Sequence, residues 1–107
     1  MNAQYALKIG GGGMATISTQ STAVPLSTTS ASCQMVQVMG VSTNTGLIMV
    51  GNSTVKVATT GRVGIPVYAG STATPVTVHC SDITQVYIDG ISTEAISYIY
   101  YAIGVPS

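Results

Sequence analysis

The chain has 107 residues, of which 46% are hydrophobic and only six are charged, with a formal net charge of zero. This charge balance excludes the basic surface that binds nucleic acid, and the hydrophobic content excludes a disordered chain. Surface charge normally keeps a folded domain monomeric and dissolved. The sequence therefore predicts one domain whose surface is covered by neutral hydroxyl groups and, in part, by other subunits.

Residues 1–13 differ in composition from the rest of the chain. Four consecutive glycines occupy positions 10–13, and their conformational freedom predicts a flexible hinge that follows an N-terminal arm. In the arm, Tyr5, Leu7 and Ile9 alternate with other residues, a pattern that suits adding a strand to a neighbouring subunit. A frayed terminus is the alternative. The folded domain is predicted to span residues 14–107.

From residue 14 onward the sequence predicts short strands separated by turns. A tight loop at 51–53 is expected to join two strands as a hairpin, and Pro66 indicates an edge strand. Turn signals recur about every 8–12 residues, which is typical of an all-β protein. We predict a small antiparallel β-sandwich, for which a jelly roll is one of the topologies left open, with at most one helical turn near residues 92–95. The strands are expected at 15–20, 24–27, 33–41, 47–50, 54–58, 65–68, 75–79, 85–88 and 95–103.

The last predicted strand has bulky apolar side chains on both faces. Its even-numbered residues from Ile96 to Tyr100 point one way, and its odd-numbered residues from Ile99 to Ile103 point the other way. Both faces are therefore expected to be covered, one by the core and the other by a second subunit, because Tyr is favoured at interfaces. Coverage by the chain itself is the alternative. The interface candidates are Tyr5, Leu7, Ile9, Tyr98, Ile99, Tyr100, Tyr101 and Ile103.

Residues that could carry chemistry are sparse. His79 is the single histidine, and its spacing from Cys80 and Asp82 matches no known metal-ligand pattern. No GxSxG nucleophile motif is present, so we expect no catalytic site, metal or cofactor. Cys33 and Cys80 are interpreted as reduced, buried small hydrophobic residues, and a disulfide requires that their strands be neighbours. No secretory signal or apolar stretch long enough to span a membrane is expected.

The order of motifs between residues 44 and 101 gives a resemblance. A Thr-Asn-Thr-Gly turn precedes an apolar strand that ends in Val-Gly-Asn-Ser at 50–53. Gly-Ile-Pro at 64–66, Ala-Gly-Ser at 69–71, a Val-x-Val strand, Val-Tyr-Ile-Asp-Gly at 86–90 and a Tyr-rich strand follow. In this order the segment resembles the small β-sandwich structural proteins of tailed bacteriophages, found among capsid cement (decoration) proteins and other virion accessory proteins.

The resemblance implies a virion part without an active site. A cement protein of this kind would bind the major capsid protein and copies of itself, as a homo-oligomer for which a trimer is expected by analogy. It would be made in the host cytoplasm and lie on the capsid surface, with no nucleic-acid or membrane partner. A tail, connector or head-fibre component is the first alternative. The second is a carbohydrate-binding or adhesion module that uses Tyr68, Tyr87 and Tyr100 as stacking platforms.

Overall fold

The computed structural model describes residues 7–41, 46–58, 61–68, 74–91 and 94–103, and for Leu7 and Ile103 it describes the backbone only. These residues form two antiparallel sheets of four strands each, so the predicted all-β sandwich is confirmed. The strands are β1 (Leu7–Thr16), β2 (Val24–Pro25), β3 (Met35–Gly40), β4 (Ile48–Gly51), β5 (Ile65–Val67), β6 (Val76–His79), β7 (Tyr87–Asp89) and β8 (Ala95–Ile103).

The strand order identifies the topology as a jelly roll. Sheet A has the order β1-β8-β3-β6, and sheet B has the order β2-β7-β4-β5. Strands therefore pair first with last and inward, β1 with β8, β2 with β7, β3 with β6 and β4 with β5. A long antiparallel ribbon that rolls up forms these four pairs, and the β3–β8 and β4–β7 pairs then complete the two sheets.

The core lies between the two sheets and follows from strand alternation. In β3, Val36 and Val38 are buried while the intervening Gln37 is half-buried on the opposite face. Burial of one such side chain stabilises the fold by about 1.5–3 kcal/mol. The main core contains Ala15, Ile17, Leu26, Val36, Val38, Ile48, Val50, Val67, Ile83, Val86, Ile88 and Ile96.

A second, smaller core covers the opposite face of sheet B. Met49 of β4 packs there against Val55 and Val57, which lie in the loop after β4. The predicted hairpin between 47–50 and 54–58 is therefore wrong, because β4 pairs with β5. A bridge joins Lys56 and Val63 within the intervening segment. The loop folds over the sheet because its valines bury their side chains on Met49.

The glycines at 10–13 lie inside strand β1, which pairs with β8 along its length. The predicted hinge is therefore corrected, and residues 7–13 belong to sheet A of the folded domain. Glycine normally weakens a strand, but here the missing side chains leave space for tyrosine rings of β8. A Cβ atom on Gly11 would lie 2.7 Å from the Tyr100 hydroxyl oxygen, and one on Gly13 would lie 3.1 Å from that of Tyr98.

Two further sequence predictions are placed by the structure. Among the described residues, a 3-10 turn spans Ile83–Gln85, and Asp82 caps it by accepting a hydrogen bond from the Thr84 N–H. This turn replaces the start of the strand predicted at 85–88. Residues 92 and 93 of the predicted turn at 92–95 lie outside the described residues. The same holds for residues 43–45 and 69–72 of two other predicted turns, and for the arm up to residue 6, which includes Tyr5.

Candidate functional site

The face of sheet A that points away from the core is the candidate functional site, and we call it the outer face. Strand register aligns its side chains in rows, because residues two apart along a strand share a face. One row runs from Ile9 through Tyr101 and Met35 to His79. The full set of outer-face residues is Ile9, Gly12, Met14, Met35, Gln37, Met39, Thr77, His79, Ser97, Ile99 and Tyr101.

The outer face carries no Asp, Glu, Lys or Arg among these positions, and five of its eleven residues are isoleucine or methionine. Its most exposed large side chains are Met14 and Ile9, which are 65% and 63% exposed. Met39 and Ile99 are also exposed and, with Pro75, line a shallow groove across the sheet. Large apolar side chains that form a contiguous exposed patch indicate an interaction surface, whereas isolated ones do not.

The polar groups at the centre of the outer face bond to one another. The Tyr101 hydroxyl donates a hydrogen bond of 3.1 Å to Gln37 Oε1. The Gln37 amide in turn donates to Thr77 Oγ1 over 3.3 Å. Removing a polar group from water is costly when it has no partner. Because these groups already have partners on the face, a second protein surface can cover them at reduced cost.

The two outward faces of the sandwich differ in whether other parts of the chain cover them. On sheet B, the second core buries Met49, and Tyr87 packs against the same cluster. On sheet A, Ile99 lies on a central strand yet remains 36% exposed. Central strands with apolar groups on both faces are normally covered on both. Among the described residues, the chain covers one outward face itself and leaves the other accessible.

Strand β1 forms one edge of sheet A and is the least protected edge of the sandwich. Exposed edges are usually blunted by proline, charge or short length. The other three edge strands follow this rule: β2 and β5 are two and three residues long and contain Pro25 and Pro66, and the four residues of β6 follow Pro75. In contrast, β1 has ten residues, no proline and one charge, Lys8.

The structure separates the predicted interface candidates by face. Ile9, Ile99 and Tyr101 lie on the outer face, whereas Tyr98 and Tyr100 lie on the opposite face and pack against the main core. The strands place Leu7 opposite Ile103 at the end of the β1–β8 pair. The predicted alternation of the last strand is therefore confirmed over the described side chains, and its core-facing side is covered as expected.

Sequence reasoning did not connect Met35 and Met39 with the last strand. Met14 was missed as well, because the glycine run before it was interpreted as a hinge. The signal that could have joined these residues was the absence of charge from three strands, β1, β3 and β8, apart from Lys8. Their adjacency is a property of the jelly-roll order and could not be derived from spacing.

The remaining candidate residues are distributed over other parts of the fold. His79 is exposed on edge strand β6, as predicted. Asp82 accepts hydrogen bonds from Ser30 and Thr84, and these bonds lower the pKa of its carboxyl group to about 2.

Within the described ranges, no three His, Cys, Asp or Glu side chains gather closely enough to hold a metal ion, and no helix is long and apolar enough to cross a membrane.

Comparisons with known proteins add no family to this description. Neither the protein-family models, nor the curated proteins, nor the solved structures gave a match to the chain. The resemblance to phage structural proteins therefore stays a prediction from motif order.

Proposed function

We propose that this chain is a non-enzymatic structural subunit that assembles with copies of itself through the outer face of sheet A. The observation that carries the proposal is the asymmetry of the sandwich: an uncharged apolar face is accessible on sheet A, while the chain covers the equivalent face of sheet B. Identical copies repel one another when like charges meet across their contact. A face without Asp, Glu, Lys or Arg avoids this cost.

The size of the outer face indicates that a second contact is needed. Four strands about 4.8 Å apart and about six residues long give a face of about 400 Å². One side of a standard protein interface buries about 800 Å². The β1 edge supplies a second contact, because its free N–H and C=O groups can pair with a strand of another copy. Two different contact surfaces on each subunit also allow rings and lattices.

The specific assembly that we propose is a virus particle, with the chain as a capsid cement protein on the outer shell of a tailed phage. The major capsid protein would be its second partner, and a trimer its oligomeric form. Two observations support this form, the order of motifs over residues 44–101 and the jelly-roll topology, a fold that viral capsid domains use. The second is an analogy of fold, which by itself assigns no activity.

A carbohydrate-binding module is the alternative that the side-chain positions favour less, although lectins also use the jelly roll. A sugar-stacking platform needs an accessible aromatic ring. Of the three tyrosines considered for this role, Tyr100 packs against the main core and Tyr87 against the second core. Tyr68 is exposed.

Light scattering on the purified full chain tests the assembly proposal. We expect a fixed oligomer in the wild type and a shift to monomer in Ile99→Glu, because the new carboxylate would be buried in the contact without a partner. Ile65→Glu is the matched control, since Ile65 is a strand isoleucine that is 50% exposed and lies outside the outer face. Thermal melting must show that both variants stay folded. A wild type that remains monomeric at high concentration contradicts the proposal, and so does an Ile99→Glu oligomer of unchanged mass.

Immunogold electron microscopy tests the capsid form of the proposal. Phage particles purified from producing cells are labelled with antibody against this chain, and we expect gold on the head surface. Label on tails or fibres identifies another virion part instead. Particles without label, from cells that contain the protein in quantity, rule out a virion role while leaving the self-assembly proposal to the scattering experiment.

A further inference from the structure

The two cysteines of the chain meet at one end of sheet A. Cys33 precedes β3 and Cys80 follows β6, and these two strands are neighbours. Backbone hydrogen bonds continue the ladder into this region, from the Cys33 N–H to Ser81 and from the Cys80 N–H to Gln34. Both cysteines are free thiols, and their sulfur atoms lie 2.9 Å apart. A disulfide bond measures about 2.05 Å, so closure requires a movement of less than about 1 Å.

We propose that Cys33 and Cys80 are a modification site at which a small-molecule disulfide, such as oxidised glutathione, forms an intramolecular disulfide between β3 and β6. The sequence condition for a bridge, that the two strands be neighbours, is met. The paired thiols distinguish this site from an isolated buried cysteine, which behaves as a small hydrophobic residue. The inference does not rest on the assembly proposed above.

The reaction proceeds by two thiol–disulfide exchanges. Cys80 is the half-exposed partner, so its sulfur attacks oxidised glutathione, forms a mixed disulfide and releases one glutathione thiolate. Cys33, which is only 2% exposed, then attacks the Cys80 sulfur and releases the second glutathione thiolate. The two cysteine protons are taken up by the two released thiolates. Two electrons pass to glutathione, which is reduced, and the cysteine pair is oxidised.

The surroundings of the pair make this reaction slow but do not block it. Burial, together with the hydrogen bond with Cys33, raises the pKa of the Cys80 thiol to about 12. The reactive thiolate is therefore scarce near neutral pH. Cys80 is itself half-exposed, and a surface pocket lined by Ser32, Cys33, Gln34 and Ala102 opens on the Cys33 side of the pair.

The bridge would fasten β6, which lies at the edge of sheet A beside β3 in the described part of the chain. It would join residues 47 positions apart in sequence, and closing a loop of this length restricts the unfolded chain strongly. We therefore expect the melting temperature of the oxidised chain to rise by about 10 °C or more.

The test uses the folded full chain, first reduced and then incubated with excess oxidised glutathione for hours. The chain is denatured, treated with iodoacetamide and weighed by intact mass spectrometry. We expect a monomer that takes up no alkyl groups and melts at the higher temperature. Two alkyl groups on the treated chain, or a disulfide that links two chains on a non-reducing gel, would overturn the proposal.

Single-cysteine variants provide the matched controls. Cys33→Ser and Cys80→Ser each retain one thiol and cannot form the intramolecular bridge. The same treatment should therefore add at most one glutathione to each variant and should not raise its melting temperature as it does in the wild type. A rise in melting temperature equal to that of the wild type in either variant would show that the effect comes from another modification. The wild-type mass measurement decides the question even if a variant fails to fold.

Discussion

Replacement of Asp89 by alanine should destabilise the protein more than any other single change to an acidic residue. Asp89 ends strand β7 and is fully buried. Its two carboxylate oxygens accept hydrogen bonds from two separate loops, at 2.8 Å from the Ser21 N–H and at 2.9 Å from the Val57 N–H. Asp89 thus fastens the loop after β1 and the loop of the second core to the centre of sheet B.

The magnitude follows from what each N–H group loses. A buried donor without an acceptor costs about 1–3 kcal/mol. The bond to Val57 is buried, whereas Ser21 is exposed and its N–H can bond to water. Asp89→Ala should therefore lower the free energy of unfolding by about 2–4 kcal/mol, because a bond to a charged acceptor is lost as well. That loss is a large part of the 5–15 kcal/mol of a typical domain.

Asp89→Asn is the matched variant, since it keeps one carbonyl oxygen of the same shape. This oxygen can retain the buried Val57 N–H while the amide NH₂ faces Ser21, so the loss should be about 1–2 kcal/mol. Urea unfolding measures both variants, and amide hydrogen exchange at Val57 should accelerate in Asp89→Ala only. Equal losses in the two variants, or a loss below about 0.5 kcal/mol in Asp89→Ala, would refute the hydrogen-bond explanation.

Two further predictions concern the acid range and the glycine run. Hydrogen bonds from Ser30 and Thr84 hold the folded pKa of Asp82 at about 2, below its ordinary 3.8. The Asp82 carboxylate therefore stabilises the fold above about pH 4, and this stabilisation is lost as the pH falls towards 2. The difference in melting temperature between the wild type and Asp82→Asn should shrink over that range, and a constant difference would contradict the assignment. Gly12→Ala should lower the melting temperature more than Gly13→Ala. A Cβ at position 12 would lie 2.6 Å from the backbone carbonyl oxygen of Tyr98, whereas a Cβ at position 13 would lie 3.1 Å from the movable Tyr98 hydroxyl. A larger loss in Gly13→Ala would show that the β1–β8 pairing is not as described.

The fold class and the last strand could be predicted from the sequence because they depend on local patterns. The strand predicted at 95–103 has the bounds that the structure shows. Its alternation separates Tyr98 and Tyr100 from Ile99 and Tyr101, as observed. Pro66 marks an edge strand, as observed in β5. These features follow from side-chain period and from the lack of a proline N–H, which act within a few residues.

The pairing of strands could not be predicted in the same way. The 51–53 turn looks like a hairpin, but β4 pairs with β5 across a loop that buries Val55 and Val57. The glycines of β1 look like a hinge when they are considered alone, and their role appears only with the tyrosine rings of β8, about 85 residues later in the chain. Spacing predicts neither contact, because both depend on which strands become neighbours.

The use of the acidic residues connects the sparse charge of the chain with the proposed assembly. Each of the three accepts a hydrogen bond from a backbone N–H: Asp82 from Thr84, Asp89 from Val57 and Glu94 from Gly46. The acids therefore serve as acceptors that hold loops and a turn in place, and two of them are buried. Because its carboxylates are used as hydrogen-bond acceptors within the fold, the chain has few surface charges left to repel neighbouring molecules. The described residues of the outer face of sheet A include no Asp, Glu, Lys or Arg, which is why we propose that face as the contact between copies.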